Sequence, residues 1–331
     1  MDLTTTYLGL TLTSPLVASA GPLNSKLDNL KLLEGHGAGA VVLPSVFEEQ
    51  IVREQALIED LVDSGADSFG EALSYFPAQT SYAFDTSRHL SLIEDAAAAL
   101  KIPVIASLNG VTDSGWVDYA HDMESAGAQA LELNIYFIPS DPTVDGGDVE
   151  RRYLDIVHAV VSAVKIPVAV KIGPYFSSPG NMAVKLVEAG ASGLVLFNRF
   201  YQPDIDPMRL SVETSLDLSH AYEMRLPLLW IGVLAGRIDA SLAATTGVER
   251  AEDVVKYLLA GADVVMTTSS LLRNGLSHMR VLSDGLKDWL GTRGLNSPDD
   301  IRGKLSHGNV ADPEAYERAN YIRTLQDFGL K

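Results

Sequence analysis

Short apolar runs punctuate the chain, and two kinds of residue introduce them. Pro15 opens Leu16-Val17-Ala18, Pro103 opens Val104-Ile105-Ala106, Pro167 opens Val168-Ala169-Val170, and Pro227 opens Leu228-Leu229-Trp230. In alternation with these, Gly37-Ala38 leads into Val41-Val42, Gly127-Ala128 into Leu131, Gly190-Ala191 into Leu194-Val195, and Gly261-Ala262 into Val264-Val265. Continuously apolar runs belong to strands covered on both faces, as in a parallel sheet flanked by helices. Proline is tolerated at the start of a strand, and each glycine follows a helical stretch, where the residue after the cap takes a positive φ. Eight such runs predict eight βα units closed into a (β/α)8 TIM barrel.

Helical spacing fills the intervals. Ile156, Val157, Val160, Val161 and Val164 recur at the i, i+3, i+4, i+7 positions of one buried face. Ser87 is placed to cap a helix carrying Leu90, Ile93, Ala97 and Leu100, and Ser178-Pro179 is a favoured helix start. The interval from Pro44 to Lys101 is too long for one helix. It predicts an insertion over 45–100, amphipathic from Glu48 to Val62 and aromatic at Phe69, Tyr75 and Phe76, acting as a lid at the barrel mouth. Asp312-Pro313 begins a helix through Tyr316, Ala319, Tyr321, Ile322 and Leu325, which makes 307–331 a helical C-terminal extension. No Pro/Ser-rich linker or break in composition divides the chain, so 1–331 reads as a single domain.

Charge narrows the partners. With 25 Lys and Arg against 43 Asp and Glu, the formal charge of −18 opposes binding to nucleic acid or to anionic lipid. No cysteine is present, which excludes disulfides, a thiol nucleophile and thiolate-ligated zinc or iron–sulfur centres. No apolar run reaches the ~20 residues of a membrane span, and no basic, then apolar leader precedes the first strand. A cytoplasmic protein acting on a small molecule is expected.

In a barrel of this kind, chemistry sits where strands end. The predicted ends are Ala18-Ser19-Ala20-Gly21, Pro44-Ser45, Ser107-Leu108-Asn109-Gly110, Glu132-Leu133-Asn134, Lys171, Asn198-Arg199, Gly232 and Thr267-Thr268-Ser269-Ser270. They carry amides, hydroxyls and a lysine but no histidine–carboxylate cluster, so no metal is expected. Hydroxyl and N–H groups after the last two strands suit a phosphate. Asparagine amides suit a planar heterocycle, and a lysine stabilises negative charge on a reduced ring. These are requirements of an FMN site, although a sugar-phosphate aldolase or isomerase barrel would show much the same inventory.

Over nearly its whole length the sequence resembles the dihydroorotate dehydrogenase family, and more closely its dihydroorotate dehydrogenase-like branch. Leu3, Gly9-Leu10-Thr11-Leu12-Thr13-Ser14-Pro15 and Ala18-Ser19-Ala20-Gly21 are similar to the family's N-terminal hairpin and first strand. Glu132-Leu133-Asn134 resembles the fourth-strand motif, and Pro167-Val168-Ala169-Val170-Lys171-Ile172 the fifth, whose lysine contacts the flavin ring. Asn198 falls at the sixth-strand asparagine that contacts substrate and flavin. Ser297-Pro298 through Asp300-Ile301-Arg302-Gly303 resembles the closing segment. The resemblance implies FMN held by Ala18, Ser19, Ser45, Asn109, Asn134, Lys171, Gly232, Gly236, Thr268 and Ser269, with Asn198 on the substrate. It also implies a homodimer.

Three departures stand out. The family's fourth strand continues into a Ser-Cys-Pro-Asn or Ser-Ser-Pro-Asn run whose residue before proline is the catalytic base. Here Asn134 is followed by Ile135-Tyr136-Phe137-Ile138-Pro139-Ser140-Asp141, which puts Ile138 in that place and leaves Ser140 as the candidate base. Leu43-Pro44-Ser45 replaces the second-strand lysine of the soluble classes. The seventh-strand Gly-Gly phosphate turn reads as Gly232-Val233-Leu234-Ala235-Gly236, with an insertion before Thr245-Thr246-Gly247. The resemblance thus implies an FMN-dependent dehydrogenase of dihydroorotate or a related cyclic amide, in pyrimidine biosynthesis. The alternative is a barrel that has lost the base and binds a flavin or phosphate ligand.

Overall fold

The structure, a computed structural model, describes residues 1–51, 86–110, 112, 117–199, 202–213, 217–317, 321–322 and 325–326. Thirteen strands occur among them, numbered along the chain. A hairpin comes first: β1 (Thr5–Tyr7) and β2 (Leu10–Leu12) pair antiparallel, with Tyr7 opposite Leu10. Both turn residues, Leu8 and Gly9, have positive φ (54° and 75°), as a two-residue hairpin turn of matching twist requires. A left-handed leucine costs of order 1 kcal/mol, and burial holds it there. Its N–H donates to Ser241 Oγ at 2.9 Å, and its side chain fills the space that a Cβ on Gly193 would occupy.

Eight strands then close a parallel barrel: β3 (Leu16–Ala18), β4 (Ala40–Val42), β6 (Val104–Asn109), β7 (Ala130–Asn134), β8 (Val168–Ile172), β9 (Gly193–Leu196), β12 (Ser241–Ala244) and β13 (Val264–Thr267). The ring is completed where β13 pairs with β3 and β4 with β6. A short β5 (Val46–Phe47) extends the sheet along the far half of β6, and β10 (Asp204–Asp206) with β11 (Ser211–Glu213) forms a separate exposed hairpin. Helices α1 (Leu27–Gly35), α2 (Thr86–Ala99), α3 (Val117–Ser125), α4 (Gly146–Ala163), α5 (Pro179–Glu188), α6 (Arg225–Leu234), α7 (Ala251–Ala260), α8 (Ser269–Asn274) and α9 (His278–Gly291) complete the described elements with short 3-10 turns. The predicted helix ends hold: Gly261 sits at φ 119° and caps α7 through N–H bonds to Tyr257 and Leu258 carbonyls. Gly37, Gly127 and Gly190 also take positive φ.

One predicted strand is a helix. Pro227-Leu228-Leu229-Trp230 lies in α6, where Pro227 occupies the first turn and its missing N–H has no helical partner to lose. An apolar run of this length fits a buried strand and a buried helix equally. The seventh barrel strand is instead the short, alanine-rich β12. Gly232 and Gly236 therefore do not form a turn at the mouth. Gly232 packs inside α6 against Tyr316, whose ring lies where its Cβ would be, and Gly236 joins α6 to β12 at the opposite end of the barrel.

The expected lid falls mostly on residues 52–85, outside those described. At the C-terminus, Pro313–Tyr316 form a 3-10 turn capped by Asp312, Glu317 leaves it extended, and helical backbone recurs at 321–322 and 325–326.

The core has two parts. A large cluster lies between strands and helices, and a smaller one fills the barrel itself. The inner cluster joins Tyr7, Leu8 and Leu12 of the hairpin to Val17, Val42, Ile105, Val195, Val264 and Met266, with alanines at 40, 130, 169 and 243. These alanines leave room for the fully buried Tyr7 ring at the N-terminal end. Tyr7→Ala would empty that space and is expected to cost about 3–5 kcal/mol, read from the urea unfolding midpoint.

Candidate functional site

Inward-facing positions change character along the barrel. Each strand points alternate residues inward, so above the apolar layer of Ile105, Ala130 and Ala169 come Ser107, Glu132 and Lys171, and above those Asn109 and Asn134. The upper layers are polar and largely buried: Ser107 is 0 % exposed, Glu132 1 % and Lys171 8 %. Their polarity is balanced internally. Lys171 Nζ lies 3.3 Å from Glu132 Oε1, Ser45 Oγ 2.7 Å from Ser107 Oγ, and Asn198 Nδ2 donates to Asn134 Oδ1 at 2.6 Å. Glu132 Oε2 and the Tyr7 hydroxyl beneath are buried with no hydrogen-bond partner among the described residues. Burial, and then the charge of Glu132, hold the Tyr7 phenol well above its ordinary pKa.

Loops from the strand ends surround this layer. After β12, Thr246 and Gly247 both adopt left-handed backbone (φ 81° and 76°), unusual for threonine. The loop is pinned from behind by Tyr257 of α7, whose hydroxyl donates to the Thr246 carbonyl at 2.8 Å and the Thr245 carbonyl at 3.2 Å. Burial, and secondarily Asp253, push the Tyr257 phenol upward, keeping it a donor. Ser219 bridges two loops, accepting from Gly247 N–H at 3.3 Å and donating its own N–H to Ser269 Oγ at 3.1 Å. Thr268 Oγ1 donates to the Ser19 carbonyl at 2.9 Å, tying the ends of β13 and β3 together. Asn24 does the same between β3 and β4, donating to Ser19 and Val42 carbonyls.

A cleft opens here between the ends of β3, β8, β9, β12 and β13. Of the sequence-predicted residues, Ser19, Lys171, Asn198, Thr268 and Ser269 line it. Asn134 adjoins it through Asn198, Asn109 ends β6, and Ser45 lies between β4 and β5, paired with Ser107. Ala18 turns into the outer core, so only its backbone faces the strand end. Ser140 is not brought in: it is exposed, bonds through its N–H to the Ile138 carbonyl at 2.8 Å, and lines none of these walls. Ile138 itself is 46 % exposed. Residues missed by sequence reasoning include Ser219, the Thr245-Thr246-Gly247 turn as the true seventh-strand end, and the pairing of Glu132. A glutamate inside an apolar strand was the available signal for the last; nothing local marks Ser219. Among the described residues no group of acidic or histidine side chains is placed to hold a metal.

The ring of loops also leans on a buried histidine. His89 of α2 donates from Nε2 to the Pro44 carbonyl at 3.1 Å, because a carbonyl can only accept, and Tyr119 lies 3.4 Å from Nδ1. Burial lowers its pKa to about 4, opposed in part by the Pro44 contact.

A parallel eight-stranded barrel with a sealed N-terminal end and a hydrogen-bonded polar mouth defines a ligand-binding barrel of the enzyme type. A family model described as dihydroorotate dehydrogenase matches residues 84–290, and the chain belongs to that family of oxidoreductases. It is 29% identical over 313 residues to a putative dihydroorotate dehydrogenase A (fumarate) of Aeropyrum pernix, covering 91% of this chain and 97% of that protein. It is 24% identical to the catalytic subunit of dihydroorotate dehydrogenase B (NAD(+)) of Methanothermobacter thermautotrophicus, over 92% of this chain and 98% of that one. The corresponding subunit of Methanocella arvoryzae is 26% identical, over 93% and 98%. No helix among the described residues is long and apolar enough to cross a membrane.

Two outcomes follow from the buried charges. Lys171→Met leaves Glu132 without its cation and is expected to cost about 3–5 kcal/mol in urea unfolding, whereas adding Glu132→Leu restores most of that stability. For His89 the folded pKa lies below the unfolded value near 6.5, so the unfolded chain takes the proton first. Its contribution is present above about pH 6.5 and is lost as pH falls toward 4, by up to about 3 kcal/mol. The stability difference between wild type and His89→Gln, measured from pH 7.5 to pH 4.5, should shrink accordingly.

Proposed function

We propose that the chain is an FMN-dependent oxidoreductase acting on dihydroorotate or a related cyclic amide, in pyrimidine biosynthesis. The observation that carries this reading is that Lys171 and Asn198, the latter hydrogen-bonded to Asn134, line one cleft that also reaches the β12 and β13 loops. The donor set suits a flavin mononucleotide. Lys171 and the two amides would meet the ring system, with Met266 and Val248 offering it apolar surface. The hydroxyl of Ser269 and the first N–H groups of α8 would meet the phosphate; Ser269 Oγ accepts from Ser219 and keeps its own proton to donate. A bound flavin would supply hydride acceptance. The protein's part would be to hold that ring through Lys171 and the paired asparagines and to present the substrate amide to Asn198.

A second reading is favoured by one observation. By its resemblance to the family, the sequence after β7 carries Ile138 at the position of the base; Ile138 is exposed, and Ser140 stands out in solvent. Such a barrel would bind its ligand without oxidising the family's substrate. The two are separated by spectroscopy. The purified protein should show flavin absorption after incubation with FMN and gel filtration, and anaerobic dihydroorotate should bleach those bands. Bands that form but do not bleach support the binding protein; their absence sinks the flavin assignment altogether.

A further inference from the structure

Two clefts meet at the end of β9, sharing Phe197, Asn198, Arg199 and Thr246. The second is walled on its far side by Pro174, Leu226 and Pro227. Arg199 stands between them, fixed on two sides. Its Nε lies 2.8 Å from Glu223 Oε1, and Nη1 donates to the Asp217 carbonyl. Glu223 is itself held, since its other oxygen accepts the His220 N–H at 2.6 Å. Arg199 Nη2 has no partner among the described residues, and the side chain remains 35% exposed. The guanidinium is thus pre-positioned with a donor to spare, which lowers the entropy lost when it binds a ligand.

The chemistry around it selects a ligand class. A chain of charge −18 repels small anions except where a local cation is fixed. Among the described lining residues of the two clefts the cations are Lys171 and Arg199; both are paired with a carboxylate, but the Lys171–Glu132 pair is buried in the floor, whereas Arg199 is 35% exposed and keeps Nη2 for a ligand. At the β4 end, among the described residues, Pro44 takes the His89 N–H and Ser45 pairs with Ser107. Proline and leucine surfaces beside an asparagine amide suit a small planar ring with amide edges, and arginine suits a carboxylate on that ring. Resting on the flavin reading above, we infer that Arg199 is the specificity residue that anchors a ring carboxylate of the substrate, in the cleft beside Asn198.

The test is calorimetric titration of the FMN-saturated protein with orotate, which carries the carboxylate, and with uracil, which lacks it. Wild type should bind orotate more tightly than uracil. Arg199→Gln should weaken orotate about tenfold or more while leaving uracil and FMN affinity unchanged. Glu223→Gln, which keeps the cation, should preserve the preference for orotate. Should Arg199→Gln not fold, Arg199→Lys decides: it should lose several-fold in orotate affinity and nothing for uracil. Protein that takes up FMN but shows no preference for orotate overturns the inference, as does an arginine variant with wild-type orotate affinity. A variant weakened for FMN instead of orotate assigns Arg199 to the cofactor phosphate and also overturns it. Failure of wild type to take up FMN is a separate result, which removes the flavin reading itself.

Discussion

A closed barrel has no free strand edge and a fixed interior, and side chains must fill that interior without a void. Everything else here follows from how the filling is divided. Alanines at 40, 130, 169 and 243 are too small to do it alone, so the N-terminal hairpin contributes Tyr7, Leu8 and Leu12. The hairpin seals one end and supplies the apolar floor. Polar side chains are then confined to the other end, where Ser107, Glu132, Lys171 and the two asparagines collect.

The buried Lys171–Glu132 pair is not explained by stability. Taking two charges out of water offsets most of their attraction, and an apolar pair of similar volume would hold the fold as well. What the pair does is place a cation under the cleft in one position, with its counter-charge on the next strand. The surrounding loops are held in the same manner by groups reaching in from behind: Tyr257 from α7, Asn24 beside β3, His89 from α2 and Ser219 from the long β9–α6 connection. The mouth is therefore rigid through hydrogen bonds to backbone carbonyls and amides rather than through regular structure of its own.

Much of the barrel was legible from the pattern of apolar runs. Seven of the eight runs are barrel strands, because buried parallel strands need unbroken apolar residues and the helices before four of them end on glycine. The run after Pro227 is a helix and not a strand, since proline opens helices as readily as strands and an all-apolar helix has no polar face to betray its period. The seventh strand end therefore lies after β12, and Gly232 and Gly236 lie away from the mouth. Lys171, Asn198, Thr268 and Ser269 were readable because a polar residue directly after an apolar run is conspicuous.

The sequence by itself determined the repeat, the strand ends that carry polar groups, and the family, since these depend on residue types at short range along the chain. Tertiary structure decided which of those ends share a cleft. It paired Glu132 with Lys171 and Asn134 with Asn198, brought Ser219 across to Gly247 and Ser269, fixed Arg199 between Glu223 and Asp217, and left Ser140 in solvent. These contacts join residues from 18 to 64 positions apart, set by strand register and by loop closure. No local pattern encodes them, because the energy that selects them comes from burying polar groups together in a space that exists only once the barrel has closed.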